Sequence, residues 1–211
     1  MEGPQLLADV MAAGGVVREV YGVEPDDPGV IPVDQRALER LAGTDSPRGP
    51  VAIVEIPTEW MDPESDLLVS VGVSDPGNVG TMIRTAASFG WGFAYTDGSA
   101  DPWAPKTLRA GAGGQFQTSV SRVGSLREIS SWITVAAVVR DGEPPEAIAD
   151  RPVALLIGEE AHGLPDWAAA SSTHRMTIPT PGETESLNAA VAAGIAVYEL
   201  SKGSGQSRAD V

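Results

Sequence analysis

The chain contains no cysteine, which excludes disulfide frameworks and thiolate chemistry alike. Histidine is almost as scarce. His162 and His174 are the only two, too few for a His-based zinc site, and no metal is expected. No apolar run approaches the ~20 residues that a membrane-spanning helix needs. The opening Met1-Glu2-Gly3-Pro4 lacks the basic and apolar regions of a signal peptide. These absences predict a soluble, cytoplasmic protein with no membrane contact. Basic charge is the remaining shortage: 14 Lys and Arg stand against 29 Asp and Glu, giving a net charge of −15 and a pI near 4.4. The acid excess is spread along the chain. A protein that grips a phosphate backbone is expected to carry a basic face, so long-range attraction to nucleic acid should be weak.

What is present is an ordinary globular composition, 42% hydrophobic over 211 residues. That length suits one medium domain with a small appendage. Leu6, Leu7, Val10 and Met11 have helical spacing, closed by Gly14-Gly15. Strands are predicted at Val16–Tyr21, Val30–Val33 and Val51–Val54, with a turn-rich stretch from Glu24 to Gly29. Between the last two strands lies a helix through Leu38 and Leu41, with Asp34 as its N-cap and Gly43 as its stop. Residues 1–57 thus form a short α/β accessory domain, and 58–66 read as a linker. From Leu67 the pattern strengthens. Strands are predicted at Leu67–Val71, Phe93–Tyr95, Val135–Val139 and Val153–Ile157. A helix carries Val79, Met82, Ile83, Ala86 and Ala87 up to Gly90, and a last amphipathic helix carries Leu187, Val191, Ile195 and Tyr198. Strands alternating with helices indicate a largely parallel sheet covered on both faces. Residues 67–203 form this main domain, and the small, polar tail at 204–211 is expected to be disordered.

Three segments carry chemistry. In Asp75-Pro76-Gly77-Asn78-Val79-Gly80-Thr81-Met82-Ile83-Arg84-Thr85-Ala86, a strand end turns into a helix, where free backbone N–H groups gather. Taken alone, Asn78 reads as a helix cap and Arg84 as a solvated charge. In Leu155-Leu156-Ile157-Gly158-Glu159-Glu160-Ala161-His162-Gly163-Leu164-Pro165, an apolar strand runs into a glycine-flanked acidic loop, which taken alone reads as an ordinary acidic turn before it reads as a ligand contact. In Ile178-Pro179-Thr180-Pro181-Gly182-Glu183-Thr184-Glu185-Ser186-Leu187-Asn188, a bent loop leads into the last helix, so Ser186 and Asn188 also read as caps. The run Gly111-Ala112-Gly113-Gly114 lacks nucleotide-loop spacing and reads as a small-residue packing site.

In this order and spacing, the three segments resemble the signature motifs of the SpoU (TrmH-like) family of RNA ribose 2′-O-methyltransferases. The resemblance covers about residues 67–200, and Lys106 to Phe116 with Arg109-Ala110 is similar to the family's stretch between the first two motifs. It implies an α/β SPOUT-class domain with a trefoil knot, a homodimer and S-adenosylmethionine as cofactor, with S-adenosylhomocysteine as product. It further implies Gly158, Ile178, Leu187, Thr96 and Gly98 as cofactor-binding positions, and Asn78, Arg84, Glu160, Ser186 and Asn188 as the catalytic set. Glu160 is expected to fix Arg84 or Asn78. The front segment resembles a shortened form of an RNA-binding accessory domain.

The leading expectation is therefore an RNA 2′-O-methyltransferase, with ribosomal RNA ahead of tRNA. The charge requires a local basic track from Arg36, Arg40, Arg48, Arg84, Lys106, Arg109, Arg122 and Arg127. Two alternatives keep the fold: a methyltransferase for a small molecule, and a non-catalytic binding protein derived from it.

Overall fold

The computed structural model describes residues 1–23, 27–42, 46–47, 49–181 and 186–202. The expectations placed on Glu24, Gly43, Arg48, residues 182–185 and the tail from 203 onward lie outside these residues. The chain divides into two compact units, Met1–Thr58 and Glu59–Val211.

The first unit contains α1 (Pro4–Ala12), β1 (Val17–Gly22), β2 (Ile31–Pro32), α2 (Gln35–Ala42) and β3 (Val51–Val54). Its sheet has the order β2-β1-β3, with β1 parallel to β2 and antiparallel to β3. Asp34 caps α2 as its sequence position suggests, its carboxylate accepting from Ala37 N at 2.8 Å. The described core is small, with Val10, Leu38, Val51 and Ala52 buried.

The second unit contains β4 (Leu67–Val71), α3 (Pro76–Phe89), β5 (Gly92–Tyr95), α4 (Pro105–Gly111), β6 (Val120–Arg122), β7 (Ile133–Ala137), β8 (Val153–Gly158), α5 (Asp166–Ser171), β9 (His174–Met176) and α6 (Ala189–Lys202). The six strands form one parallel sheet in the order β6-β5-β4-β8-β7-β9. The two central strands, β4 and β8, are apolar along almost their whole length because both of their faces are covered. Strand alternation divides their side chains between two cores. Leu68, Leu155 and Phe93 pack with α3 and α6 on one face, while Leu67, Val69, Leu156 and Ala94 pack with Val123, Ile129 and Trp132 on the other. Asp66 ties the starts of these strands together. Its carboxylate accepts from Val153 N at 2.8 Å and lies 3.7 Å from the Arg151 guanidinium. Of residues 58–66, read from sequence as linker, 59–66 thus belong to the second unit; the Trp60 carbonyl also accepts from Ser121 Oγ at 2.9 Å.

Strands β6 and β9 escaped the sequence pattern. Each has three residues and lies at a sheet edge, where too few apolar side chains alternate to leave a signal. The last helix also differs from expectation. It starts at Ala189, after Leu187, and buries Ala189, Ala190, Ala193, Ala196, Val197 and Leu200. The bulkier stripe of Val191, Ile195 and Tyr198 is exposed instead. Alanine lets α6 approach α3 and the sheet closely, so small size rather than hydrophobicity selects the buried face.

The small-residue run after α4 is a packing device, as its composition suggests. A Cβ at Gly80 on α3 would come within 2.6 Å of both Ala110 Cβ and Thr107 O, and one at Gly114 within 3.2 Å of Arg84 Cα. Gly80→Ala should therefore push α3 and α4 apart and cost about 1–3 kcal/mol, read as a lower urea midpoint; an unchanged midpoint would refute this packing.

Candidate active site

The sheet order places a topological switch point between β4 and β8, since the chain leaves β4 toward β5 and later returns on the other side. Ligand crevices in open α/β sheets form at such points, beyond the carboxyl ends of the strands. A cavity of about 380 Å³ lies at this end on the β8 side, lined by residues at and after the ends of β7, β8 and β9 and by the approach to α6, with none from β4. Its walls are apolar at Ala137, Val138, Ile157, Met176, Ile178 and Leu187, and its polar members include Glu159, Glu160, His162, Thr180 and Ser186.

The second motif forms one wall because Gly158 allows a backbone to fold directly onto it. A Cβ there would lie 2.3 Å from Gly163 C and O. Gly163, with φ +67°, closes the turn by donating its N–H to Glu159 O at 2.7 Å. This turn presents Glu159 and Glu160 in opposite roles.

Glu160 reaches across to the other two motifs. Its Oε1 accepts from the Asn78 side-chain amide, from Asn188 Nδ2 at 2.9 Å and more distantly from Ala189 N at 3.4 Å. Asn188 Nδ2 also donates to Asn78 Oδ1 at 3.0 Å. Asn78, Glu160 and Asn188 are therefore one hydrogen-bonded cluster joining α3, the β8 loop and α6. Asn78 is not the cap of α3; Asp75 is, with Oδ1 accepting from Asn78 N at 2.8 Å. That leaves the Asn78 side chain for Glu160. Asn188 does cap α6, its Oδ1 accepting from Ala190 N and Val191 N at 3.0 and 3.2 Å, while its amide nitrogen serves the cluster.

Glu159 is held from outside the cluster. Ser74 Oγ donates to its Oε1 at 2.8 Å, and His162 Nδ1 lies 3.1 Å from its Oε2. The Ser74 hydrogen bond first, and then His162, hold this carboxyl below the ordinary glutamate range.

Of the remaining expected residues, Gly158, Ile178, Ser186 and Leu187 line the cavity with Glu160. Arg84 lies exposed on α3, and its side chain makes no hydrogen bond or ion pair among the described residues. Glu160 thus engages Asn78 and not Arg84. Thr96 and Gly98 do not line the cavity. They follow β5, which β4 separates from β8, and Thr96 Oγ1 instead accepts from Gly72 N at 3.1 Å. Sequence reasoning missed Ala137, Val138, Met176 and Ala192 as lining residues. Ala137 ends β7, which was legible as a strand, and Val138 follows it; nothing local marked that end as a cavity wall. Among the basic residues expected to form a track, Arg122 is paired with Asp97. Among the described residues no cluster of three or more histidines or acids is placed to hold a metal ion, and no helix is long and apolar enough to cross a membrane.

The parallel sheet, with its three motif loops gathered beyond the strands' carboxyl ends, superposes on solved methyltransferases and is an α/β domain of the SPOUT class. Residues 66–198 match the model of the SpoU rRNA Methylase family, and the chain belongs to that family. The 23S rRNA (guanosine(2553)-2′-O)-methyltransferase RlmP of Bacillus subtilis is 30% identical over 222 residues, spanning 95% of this chain and 87% of the relative. The 23S rRNA (uridine(2479)-2′-O)-methyltransferase of Streptomyces viridochromogenes is 31% identical over 74% of this chain and 60% of its own length. Among solved structures, the AdoMet-bound rRNA methyltransferase from Sinorhizobium meliloti superposes with a TM-score of 0.81 at 27% identity, over 96% of this chain and 86% of that one. The AdoMet complex of the SpoU methyltransferase AviRb from Streptomyces viridochromogenes gives 0.82 at 25% identity, over 99% and 91%.

Truncating the carboxylate that joins the three motifs removes the acceptor shared by Asn78 Nδ2, Asn188 Nδ2 and Ala189 N. Glu160→Ala should cost about 1–3 kcal/mol and raise backbone hydrogen exchange at Ala189–Val191. Unchanged exchange there would show that the cluster does not hold the start of α6.

Proposed function

We propose that this chain is an S-adenosylmethionine-dependent RNA ribose 2′-O-methyltransferase acting on ribosomal RNA, ahead of tRNA. The observation that carries the reading is the Asn78–Glu160–Asn188 cluster, set against an apolar-walled cavity that Gly158, Ile178 and Leu187 line. The cavity volume of about 380 Å³ falls within the range of small-ligand sites, and its apolar walls suit a purine nucleoside. Gly158, Ile178 and Leu187 would hold the cofactor. When bound, S-adenosylmethionine supplies an electrophilic methyl group on a sulfonium, and S-adenosylhomocysteine is the product. Relatives named as 23S rRNA 2′-O-methyltransferases support RNA as the acceptor over a small molecule.

The chain's own residues contribute alignment. Arg84 is exposed and without a described partner, so its guanidinium is available to orient the ribose hydroxyl or the neighbouring phosphate. A guanidinium pKa above ~12 makes it a poor proton acceptor, and orientation is the role assigned to it. Ser186 shapes the cavity rim, and Asn188 fixes the start of α6. Arg36 and Arg40 on α2 give the first unit a local basic face for RNA, which offsets the overall −15 charge at short range. A cytoplasmic location is in keeping with relatives named as rRNA methyltransferases of bacteria.

Incubation with labelled S-adenosylmethionine and ribosomal RNA should place label in alkali-resistant dinucleotides, because a methylated 2′-oxygen cannot attack the adjacent phosphate. Label confined to small molecules from a metabolite extract would overturn the RNA reading. Arg84→Ala should lower transfer by about 100-fold or more and leave cofactor affinity within about twofold. Transfer at the wild-type rate would remove Arg84 from the catalytic set.

The chain is further proposed to act as a homodimer, with the exposed stripe Val191, Ile195 and Tyr198 of α6 at the interface. These side chains are 50%, 37% and 44% exposed, and Tyr198 packs edge-to-face on Phe89 at 6.4 Å to extend the apolar surface. Ile195→Glu should halve the mass measured by sedimentation equilibrium. A monomeric wild type, or a variant that remains dimeric, would place the interface elsewhere or abolish it.

A further inference from the structure

The cavity has an electrostatic property that its apolar walls conceal. Glu159 and Glu160 both line it, and no Lys or Arg does among the described residues. Negative charge beside an apolar cavity is costly unless hydrogen bonds or a positive ligand compensate it. The two carboxylates are compensated unequally. Glu160 faces three N–H donors, those of Asn78, Asn188 and Ala189. Glu159 receives one hydroxyl, from Ser74, and one imidazole contact, from the exposed His162. A carboxylate has about four lone-pair sites, so Glu159 retains acceptor capacity. It is also fixed in place: Ser74 anchors one oxygen from the loop after β4, and the Gly158–Gly163 turn anchors its backbone. A preorganised carboxylate of this kind needs no rearrangement to meet a cation.

We propose that Glu159 makes the cavity selective for a cationic ligand, pairing with a positive charge of S-adenosylmethionine, either its ammonium or its sulfonium. The assignment rests on the reading of this cavity as the cofactor site. Ser74 is then a positioning residue, acting through Glu159.

Three adenosine ligands test it by isothermal titration calorimetry. S-adenosylmethionine carries both charges, S-adenosylhomocysteine keeps only the ammonium, and 5′-methylthioadenosine has neither. Glu159→Gln should weaken S-adenosylmethionine by about tenfold and leave 5′-methylthioadenosine unchanged. A parallel loss for S-adenosylhomocysteine assigns Glu159 to the ammonium, and a loss for S-adenosylmethionine alone assigns it to the sulfonium. Either supports the proposal. An equal loss for all three ligands, or no loss for any, overturns it. Ser74→Ala should give a smaller loss with the same ligand order, and it carries the test if Glu159→Gln does not fold. A wild-type protein that binds none of the three would instead refute the cofactor reading, and the proposal with it.

Discussion

One carboxylate holds the functional end of this molecule together. Glu160 sits on the loop after β8, yet its partners are Asn78 in the first turn of α3 and Asn188 with Ala189 at the start of α6. These groups are 82, 28 and 29 residues away along the chain. No local interaction would bring them together. A charged acceptor shared among several donors is strong enough to fix their geometry, and leaving those donors unpaired would be costly. The start of α6, the wall of the cavity and the loop leading to Arg84 are consequently set by the same contact.

The sheet makes that contact possible. β4 and β8 are adjacent and parallel, so the loops that follow them emerge side by side at one edge. Packing at that edge leaves little slack. Gly158 has no room for a side chain beneath Gly163, and Gly80 has none beneath α4. Close backbone approach on both sides fixes the two loops, and the hydrogen bonds then choose which side chains meet.

The acidic composition, which argues against nucleic acid as a partner, takes a different meaning at this site. Local charge matters more than the total once ligands are within a few ångströms. Glu159 and Glu160 line the cavity and are held by hydrogen bonds, whereas the exposed Arg84 stands apart on α3. Negative and positive groups are thus separated between the cavity and α3.

Much of this was readable in the residues. Leu67–Val71 and Val153–Ile157 are short, mainly apolar, β-branched-rich runs bounded by turn residues, the pattern of buried strands, and the turn residues Asp75-Pro76-Gly77 and Gly90 bound α3 by local conformational preference. The three motifs were legible as loops at strand ends, and family resemblance marked Asn78, Glu160 and Asn188 as important. Their partners were not legible. Asp75 and Asn78 are both good caps, and only the fold, by bringing Glu160 close, gives the cap to Asp75 and the cluster to Asn78. Tertiary packing likewise decided that α6 buries its alanines and exposes Val191, Ile195 and Tyr198, and that Thr96 and Gly98 fall two strands away from β8. Local sequence determines turns, caps and strand cores because those depend on neighbours in the chain. Which loops share a cavity depends on strand order, and strand order is settled by contacts between residues that the sequence keeps far apart.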